Sequence, residues 1–275
     1  MNAKQNLSRR SFSQRLLGSL AFLPAAYARS EDGEGYEPLF DGHTLDGWHV
    51  NPEKIGHGTG GRWQVAEGAI VGEQDPPGSG NGGLLLSDRK FQDFDLLVDM
   101  KPDWGPCSGV FFRCTDGGEG FQVYVDYHDN GNVGHLRGEM KGAFALMPFR
   151  FMGKLDEAGR LKGLDMKLDP RSKDWPTGVY ESVCSMDEWR QAWRIGEWNT
   201  LRLRCEGKYP RVQTWINGAP ICDFNGETCT LPSYDREEVL GRLGMKGSIG
   251  LQVHGGKGWP KGAVCRWKNI RIKTL

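Results

Sequence analysis

Hydrophobic and polar residues alternate with a period of two in many short segments of this 275-residue chain. Alternation of this kind indicates strands with one buried face, and Gly- or Pro-containing turns separate the segments as they do in antiparallel sheets. The pattern predicts strands over 62–66, 69–72, 83–87, 93–101, 108–114, 121–128, 201–205, 211–216, 248–254 and 270–273. We therefore expect an all-β protein built as an antiparallel sandwich.

Two of the predicted strands, 121–128 and 248–254, combine an apolar face with an unusual polar face. The polar face carries amide, phenol, carboxylate and imidazole groups, namely Gln122, Tyr124, Asp126, His128, Gln252 and His254. Side chains on one face of a strand are neighbours, so these groups are expected to lie together. Few long cations interrupt them, which favours a polyhydroxylated ligand such as a sugar. The alternative is the ordinary polar side of a half-exposed sheet.

The alternation is lost over residues 137–194. A loop of this length is uncommon in a compact domain and is usually functional. Near its end, Ser185 and Glu188 have the spacing of a capping box, which predicts a short helix with Trp189 and Trp193 on one side. We expect this segment to form a lid-like insertion that packs on the sandwich through its aromatic residues.

The first 28 residues have the features of an export signal. Arg9 and Arg10 form a twin-arginine core, an apolar stretch follows over 16–25, and Ala-Tyr-Ala at 26–28 offers a cleavage site. The alternative is an amphipathic N-terminal helix. The signal implies recognition by the twin-arginine export machinery and a periplasmic or secreted mature protein. The predicted organisation is a signal peptide at 1–28, a linker at 29–37 and one sugar-active domain at 38–275.

The charge balance argues against nucleic acid as a partner, and the lengths of the apolar stretches argue against a membrane span. The chain has 35 basic and 35 acidic residues, and removal of the four basic residues in 1–28 leaves a net charge of −4. Nucleic acid binding requires clustered Lys and Arg, for which this balance gives no support. No apolar stretch after the signal approaches the length of about 20 residues that a membrane span needs, so no integral membrane segment is expected.

Seven cysteines follow the signal. Export permits disulfides, and Cys107/Cys114 or Cys222/Cys229 are close enough in sequence to pair. Cys205 lies in an alternating segment and is expected to be a small core residue instead. The pairing stays open at this point.

Four titratable residues flank a predicted hairpin turn at 129–132. The turn sequence Asp-Asn-Gly-Asn folds the chain back, so we expect convergence of Asp126, His128, His135 and Glu139. Such a group is suited to acid/base catalysis. A divalent metal is a second possibility, with His128, His135 and Glu139 as ligands, although the spacing matches no specific metal motif. A salt-bridged hairpin rim is the alternative.

Two further residues stand at predicted strand ends. Gly255 and Gly256 follow His254 and allow a ligand to approach closely. Arg113 ends another strand, where its guanidinium is suited to a carboxylate or to sugar hydroxyls, with a surface salt bridge as the alternative. The chain has no G-x-S-x-G elbow and no phosphate- or dinucleotide-binding glycine motif, which excludes the common serine hydrolase and nucleotide-binding classes.

Six short motifs occur in a fixed order along the chain. They are LFDGHTLDGW at 39–48, SGVFFR at 108–113, GEWN at 196–199, NG at 217–218, GSIGLQVH at 247–254 and KNIRI at 268–272. Together they resemble the motifs of the 3-keto-disaccharide hydrolase-like family, over about 38–273. The resemblance implies a concanavalin A/laminin G-like jelly roll of two antiparallel sheets, with a sugar site on the concave sheet.

The chemistry that the resemblance implies is cleavage of glycosides whose sugar is oxidised to a ketone at C3. That carbonyl acidifies the C2–H bond, so a base removes the proton and the C1 substituent is expelled. The reaction needs a base, an acid for the leaving oxygen and a group that stabilises the enolate. The acid/base candidates are Asp126, His128, Glu139 and His254, and the candidate substrate ligands are Arg113, Gln122 and Gln252.

Two positions depart from the family pattern. Gln122 and Tyr124 stand where the family usually has the Glu and Gln of Y-E-x-Q, and Cys107 replaces the Asn before Ser-Gly. If that Glu is essential as a base or a metal ligand, either another carboxylate or His takes its place here or the reaction is lost.

A second hypothesis from another class therefore stays open. It is a non-catalytic carbohydrate-binding jelly roll, with Trp104, Tyr124 and Trp215 as stacking platforms. Loss of the family Glu favours this hypothesis, whereas a cluster of His and carboxylate beneath a Trp-rich insertion favours the enzyme.

Overall fold

A computed structural model describes residues 35–56, 58 and 60–275. The predicted signal peptide and most of the predicted linker lie outside the described residues. The described strands, in chain order, are β1 Glu37–Pro38, β2 Trp48–Val50, β3 Arg62–Ala66, β4 Ala69–Glu73, β5 Gly83–Phe91, β6 Phe94–Met100, β7 Gly109–Cys114, β8 Phe121–Val125, β9 Val133–Gly138, β10 Ala145–Leu146, β11 Phe149–Leu155, β12 Leu161–Leu168, β13 Ser182–Val183, β14 Asn199–Glu206, β15 Arg211–Ile216, β16 Ala219–Asn225, β17 Gly247–Val253 and β18 Cys265–Thr274. The helices are the 3₁₀ turn Pro170–Asp174, α1 Met186–Ala192 and α2 Arg236–Leu243.

Apart from β11 and β12, the described strands form two antiparallel sheets. The first sheet has the order β13-β16-β15-β14-β6-β18-β4-β3, with β1 on β18, and the second has the order β10-β9-β8-β7-β17-β5-β2. All pairings are antiparallel, so the predicted two-sheet jelly-roll sandwich is confirmed.

The core lies between the sheets because alternate residues of each strand point inward. Val98 and Leu203 of the first sheet and Val110, Val123 and Leu251 of the second have no exposed surface. The outward face of the first sheet is charged: Arg202 forms a bidentate ion pair with Asp95. Ion pairs thus occupy this face, whereas Gln122, Tyr124 and Gln252 lie on strands of the second sheet.

The segment 137–194 contains more regular structure than its sequence pattern predicts. β11 and β12 pair as a separate antiparallel hairpin. Helix α1 begins directly after Ser185, which forms the predicted capping box with Glu188. The rings of Phe151 and Trp189 lie 4.5 Å apart, and those of Trp189 and Trp193 lie 5.5 Å apart. Phe144 and Trp193 also contact the sandwich, with ring distances of 6.0 Å to Phe121 and 5.1 Å to Tyr127, so the expected packing of the segment on the sandwich through aromatic residues is confirmed. The expected loss of strand structure is wrong, because β12 is largely exposed and carries no clean apolar alternation.

Three smaller findings complete the comparison with the sequence. α2 was not predicted, since only Val239 and Leu243 of this short helix are buried. All seven cysteines lie in the described part of the chain and are free thiols, with Cys205 in the core as expected. Among the described residues, no helix combines the length and apolar character that crossing a membrane requires.

Candidate functional site

A polar cavity of about 170 Å³ opens on the outward face of the second sheet, where β7, β8, β9 and β17 lie side by side. Its lining residues are Cys107, Gln122, Tyr124, Asp126, Arg137, Glu139 and His254. Five of these seven are candidates from the sequence. They meet because β8 contributes alternate residues to this face, while His254 follows the end of β17.

Gln122 lines this cavity and forms an amide pair with Gln252, which is completely buried. Gln122 Nε2 donates to Gln252 Oε1 at 2.9 Å and to the Ser108 carbonyl at 3.1 Å. The Gln122 side chain lies flat over Gly109, where a Cβ atom would come within 2.1 Å of Nε2. Gly109 is thus required for this amide pair, which orients both glutamines on the sheet face.

Asp126 is a buried carboxylate, 7% exposed, at the centre of the site. Its Oδ1 accepts hydrogen bonds from Cys107 Sγ at 3.0 Å and from the Ser108 backbone N–H at 3.1 Å. Burial raises the pKa of Asp126, and the thiol hydrogen bond and the nearby His128 and His254 partly oppose that shift. Burial and the negative charge of Asp126 together raise the pKa of the Cys107 thiol well above its ordinary value.

The two histidines of the site are oriented by backbone carbonyls. His128 Nδ1 lies 2.8 Å from the Asp129 carbonyl, and His254 Nδ1 bonds to the Gly255 carbonyl. A carbonyl oxygen can only accept, so each Nδ1 carries the proton and each Nε2 holds the lone pair in the neutral ring. Both rings are therefore in the tautomer that a base or a metal ligand needs at Nε2.

The opposite wall is formed by Tyr124, Arg137 and Glu139. Burial raises the pKa of Tyr124 to about 12, so its phenol stays a hydrogen-bond donor at neutral pH. Burial lowers the pKa of Arg137, but the hydrogen bond to Glu139 and its negative charge raise that pKa by more, so the net shift is upward. Glu139 is thus engaged as the partner of Arg137 and holds that guanidinium on the cavity wall.

The predicted metal-ligand set of His128, His135 and Glu139 is not brought together. His135 is completely buried, its Nδ1 lies 2.8 Å from Asn132 Oδ1, and its ring packs against Phe149. Burial lowers the pKa of His135 to about 3, which keeps the ring neutral. The structure instead groups Cys107, Asp126 and His128, with one ligand atom of each within 4.8 Å of the others.

Three predicted substrate ligands lie elsewhere. Arg113 is 1% exposed, and its guanidinium donates to the carbonyl of Gly207 at 2.7 Å, so it is a structural residue. Trp215 lies on the outward face of the first sheet beneath Arg202, whose guanidinium carbon is 4.9 Å from the ring centroid. Trp104 packs edge-on against Tyr127 at 5.1 Å, beneath the β11–β12 hairpin. These three calls are corrected, because the tertiary fold gives each side chain another partner.

Sequence reasoning missed Cys107 and Arg137 as cavity residues. Arg137 pairs with Gln122 across β8 and β9, a register that alternation alone does not supply. Cys107 precedes β7, outside any alternating segment. The feature of the sequence that could have identified Cys107 is that it replaces the Asn of the family pattern.

Comparisons with known proteins place the chain in a family. Residues 35–273 match the family described as the 3-keto-alpha-glucoside-1,2-lyase-like domain. A 3-keto-disaccharide hydrolase of Bacteroides thetaiotaomicron is 32% identical over 264 residues, which are 89% of this chain and 80% of that protein. A crystal structure of a candidate glycosyl hydrolase from Parabacteroides distasonis is 20% identical, with a TM-score of 0.48 over 88% of this chain and 94% of that one. This chain therefore belongs to the 3-keto-alpha-glucoside-1,2-lyase-like family and is a carbohydrate-acting enzyme.

Proposed function

We propose that this protein cleaves the C1–O bond of 3-keto-glycosides in the cavity between Tyr124, Asp126 and His254. The proposal combines the family membership with a cavity that holds an oriented imidazole, a buried carboxylate and several hydrogen-bond donors. The observation that carries it is the arrangement of His254, whose Nδ1–H is held by the Gly255 carbonyl and whose ring lines the cavity.

The reaction is an elimination made possible by the C3 ketone. A base takes the proton from C2, and the C–H electron pair becomes the C2–C3 double bond of an enolate. The enolate then restores the carbonyl, forms a C1–C2 double bond and expels the C1 oxygen, which takes up a proton. Addition of water to that product gives the free keto-sugar, so lyase and hydrolase outcomes share the first step.

We assign the proton transfers to His254. Its Nε2 lone pair is suited to remove the C2 proton. Because C1 and C2 are adjacent, the same imidazolium is in reach of the leaving oxygen. The Asp126 carboxylate stabilises the imidazolium, since the two groups interact electrostatically in the buried site.

Tyr124 and Arg137 supply the donors that the enolate oxygen needs. The phenol remains protonated at neutral pH, and Glu139 holds the guanidinium in place. Fixed donors aimed at developing negative charge are among the largest contributions to enzymatic rate acceleration. Gln122 is then suited to hold a sugar hydroxyl in the cavity, and its hydrogen bond to the buried Gln252 orients it.

The test is turnover of a 3-keto-glucoside with a chromogenic aglycone. We expect release by the wild-type protein and a loss of at least about 100-fold in kcat/KM for His254→Ala, since a general base contributes about 10²–10⁴-fold. His43→Ala, in an exposed turn, is the matched control and should retain full activity. No turnover of any keto-glycoside, together with unchanged sugar binding in His254→Ala and Asp126→Ala, would overturn the proposal and favour a carbohydrate-binding module.

We also propose that the reaction takes place after export. The twin-arginine pair at Arg9 and Arg10 and the Ala-Tyr-Ala sequence at 26–28 support a periplasmic or secreted location.

A further inference from the structure

We propose that Cys107, Asp126 and His128 bind a divalent transition metal, preferentially Zn²⁺, beside the cavity. One ligand atom from each residue lies within 4.8 Å of the other two. The three residues come from two neighbouring segments, since Cys107 precedes β7 and the other two follow β8. The hydrogen bond between Cys107 Sγ and Asp126 Oδ1 at 3.0 Å already holds two of the ligand atoms side by side.

The donor set selects the kind of metal. A thiolate, an imidazole and a carboxylate are ligands that Zn²⁺ prefers, whereas Ca²⁺ and Mg²⁺ require oxygen ligands. Three protein ligands leave one position of a tetrahedral ion open, which is the arrangement of catalytic rather than structural zinc. Asp126 and Cys107 both line the cavity, so the open position is available to a ligand there.

Hydrogen bonds between neighbouring backbone groups and two of the three ligands also support this assignment. The Asp129 carbonyl accepts from His128 Nδ1 and leaves Nε2 as the ring atom that can bind a metal. The Ser108 backbone N–H donates to Asp126 and restricts the carboxylate. Outer contacts of this kind fix the tautomer and the orientation of metal ligands.

Binding exchanges a proton for the metal. The Cys107 S–H bond breaks, a sulfur–metal bond forms with the same electron pair, and the proton leaves to solvent, so one proton is released for each ion bound. No electron is transferred. The use of the ion in catalysis rests on the proposed function: a cation at this position would polarise the ketone oxygen and stabilise the enolate. The binding itself does not depend on that function.

Cobalt provides the direct test, because Co²⁺ reports thiolate ligation spectroscopically. The mature protein is treated with a chelator, freed of it and titrated with Co²⁺. We expect one equivalent to produce a near-ultraviolet sulfur-to-cobalt charge-transfer band, which one equivalent of Zn²⁺ abolishes. Cys107→Ser should lose the band, whereas Cys184→Ser, another partly buried free thiol remote in sequence, should retain it. His128→Gln should weaken binding by at least about 10-fold through loss of an imidazole ligand.

Other outcomes of these experiments would contradict the metal site, its role in catalysis or the proposed function. A wild-type protein without the band, or a band that survives in Cys107→Ser, overturns the metal site. Thermal unfolding of Cys107→Ser and Cys107→Ala checks that both variants are folded. A folded variant without the band has lost a metal ligand rather than its structure. Keto-glycoside turnover that persists with chelator in a protein that binds Co²⁺ through Cys107 would leave the site standing and remove its catalytic role. A protein that binds the ion but turns over no keto-glycoside would instead count against the proposed function.

Discussion

At the scale of single residues, Asp126 shows the conflict between stability and chemistry in this site. Its carboxylate is nearly buried, and among the described residues it accepts hydrogen bonds from Cys107 Sγ and the Ser108 backbone N–H. Burial of an ionised carboxylate is costly unless it is fully paired, and the raised pKa of Asp126 reflects that cost. Such a residue is a candidate for function because an uncharged side chain would be easier to bury here.

Asp126→Asn should therefore raise the melting temperature at pH 7 while it lowers activity. With its folded-state pKa raised, the native protein binds the carboxyl proton more tightly than the unfolded chain, so stability falls as the pH rises above the ordinary value of 3.8. Asn keeps an acceptor for Ser108 and loses this penalty. We expect a gain of about 2–4 °C for each kcal/mol recovered, measured by thermal melts of the chelator-treated proteins.

The control is the same pair of melts at pH 4, where the gain should be smaller because more of the Asp126 carboxyl is protonated. Turnover of the keto-glycoside should fall by at least about 100-fold. A gain that is equal at both pH values would show that ionisation of Asp126 does not limit stability.

At the scale of elements, Arg113 joins the end of β7 to the β14–β15 turn of the other sheet and to the β5–β6 connection between the two sheets. Its backbone has a φ of 47°, and its guanidinium donates to the carbonyls of Gly207 at 2.7 Å and Gln92 at 3.2 Å and contacts Asp93 at 3.3 Å. These partners lie in the β14–β15 and β5–β6 connections. The side chain is 1% exposed, so these contacts replace its water.

Arg113→Ala should destabilise the fold by about 3–5 kcal/mol, because it removes one side of a buried charged network and takes this donor from the carbonyls of Gly207 and Gln92. Arg211→Ala is the matched control. Arg211 pairs with Asp223 at 2.6 Å on the surface, half exposed, and its loss should cost less than about 1 kcal/mol. Urea unfolding of both variants measures the difference, and a cost for Arg113→Ala as small as that of the control would contradict its structural role.

At the scale of the whole molecule, the chain combines a predicted N-terminal export signal with a two-sheet sandwich. The basic residues of 1–28 account for the neutral overall charge, and the part predicted to remain after cleavage has a net charge of −4. The seven cysteines of that part are free thiols in the structure, with Cys107 at the cavity. The twin-arginine route implies export of an already folded protein. In that case the chain around Cys107 folds before this thiol reaches an oxidising compartment.

Replacement of Arg9 and Arg10 by Lys should keep the protein in the cytoplasm at full length. The wild-type chain, expressed in a bacterium with twin-arginine export, should appear in the periplasm without its first 28 residues. Cell fractionation and mass spectrometry of the N-terminus measure both outcomes. Equal export of the Lys-Lys chain, or an uncleaved wild-type chain, would contradict the predicted signal.

The sequence by itself determined ten of the strands and the polar face of β8, because the side-chain period of two is a local property that these strands carry in their own residues. It also indicated α1, since a capping box is complete within four residues. It did not reveal which strands are neighbours, and that decided the site. Only the tertiary structure placed Arg137 opposite Gln122, brought Cys107 to Asp126, and turned Arg113 and Trp215 away from the cavity. These contacts join residues that are 13 or more positions apart, and strand pairing and the competition of partners for each side chain are set by the packing of the whole chain.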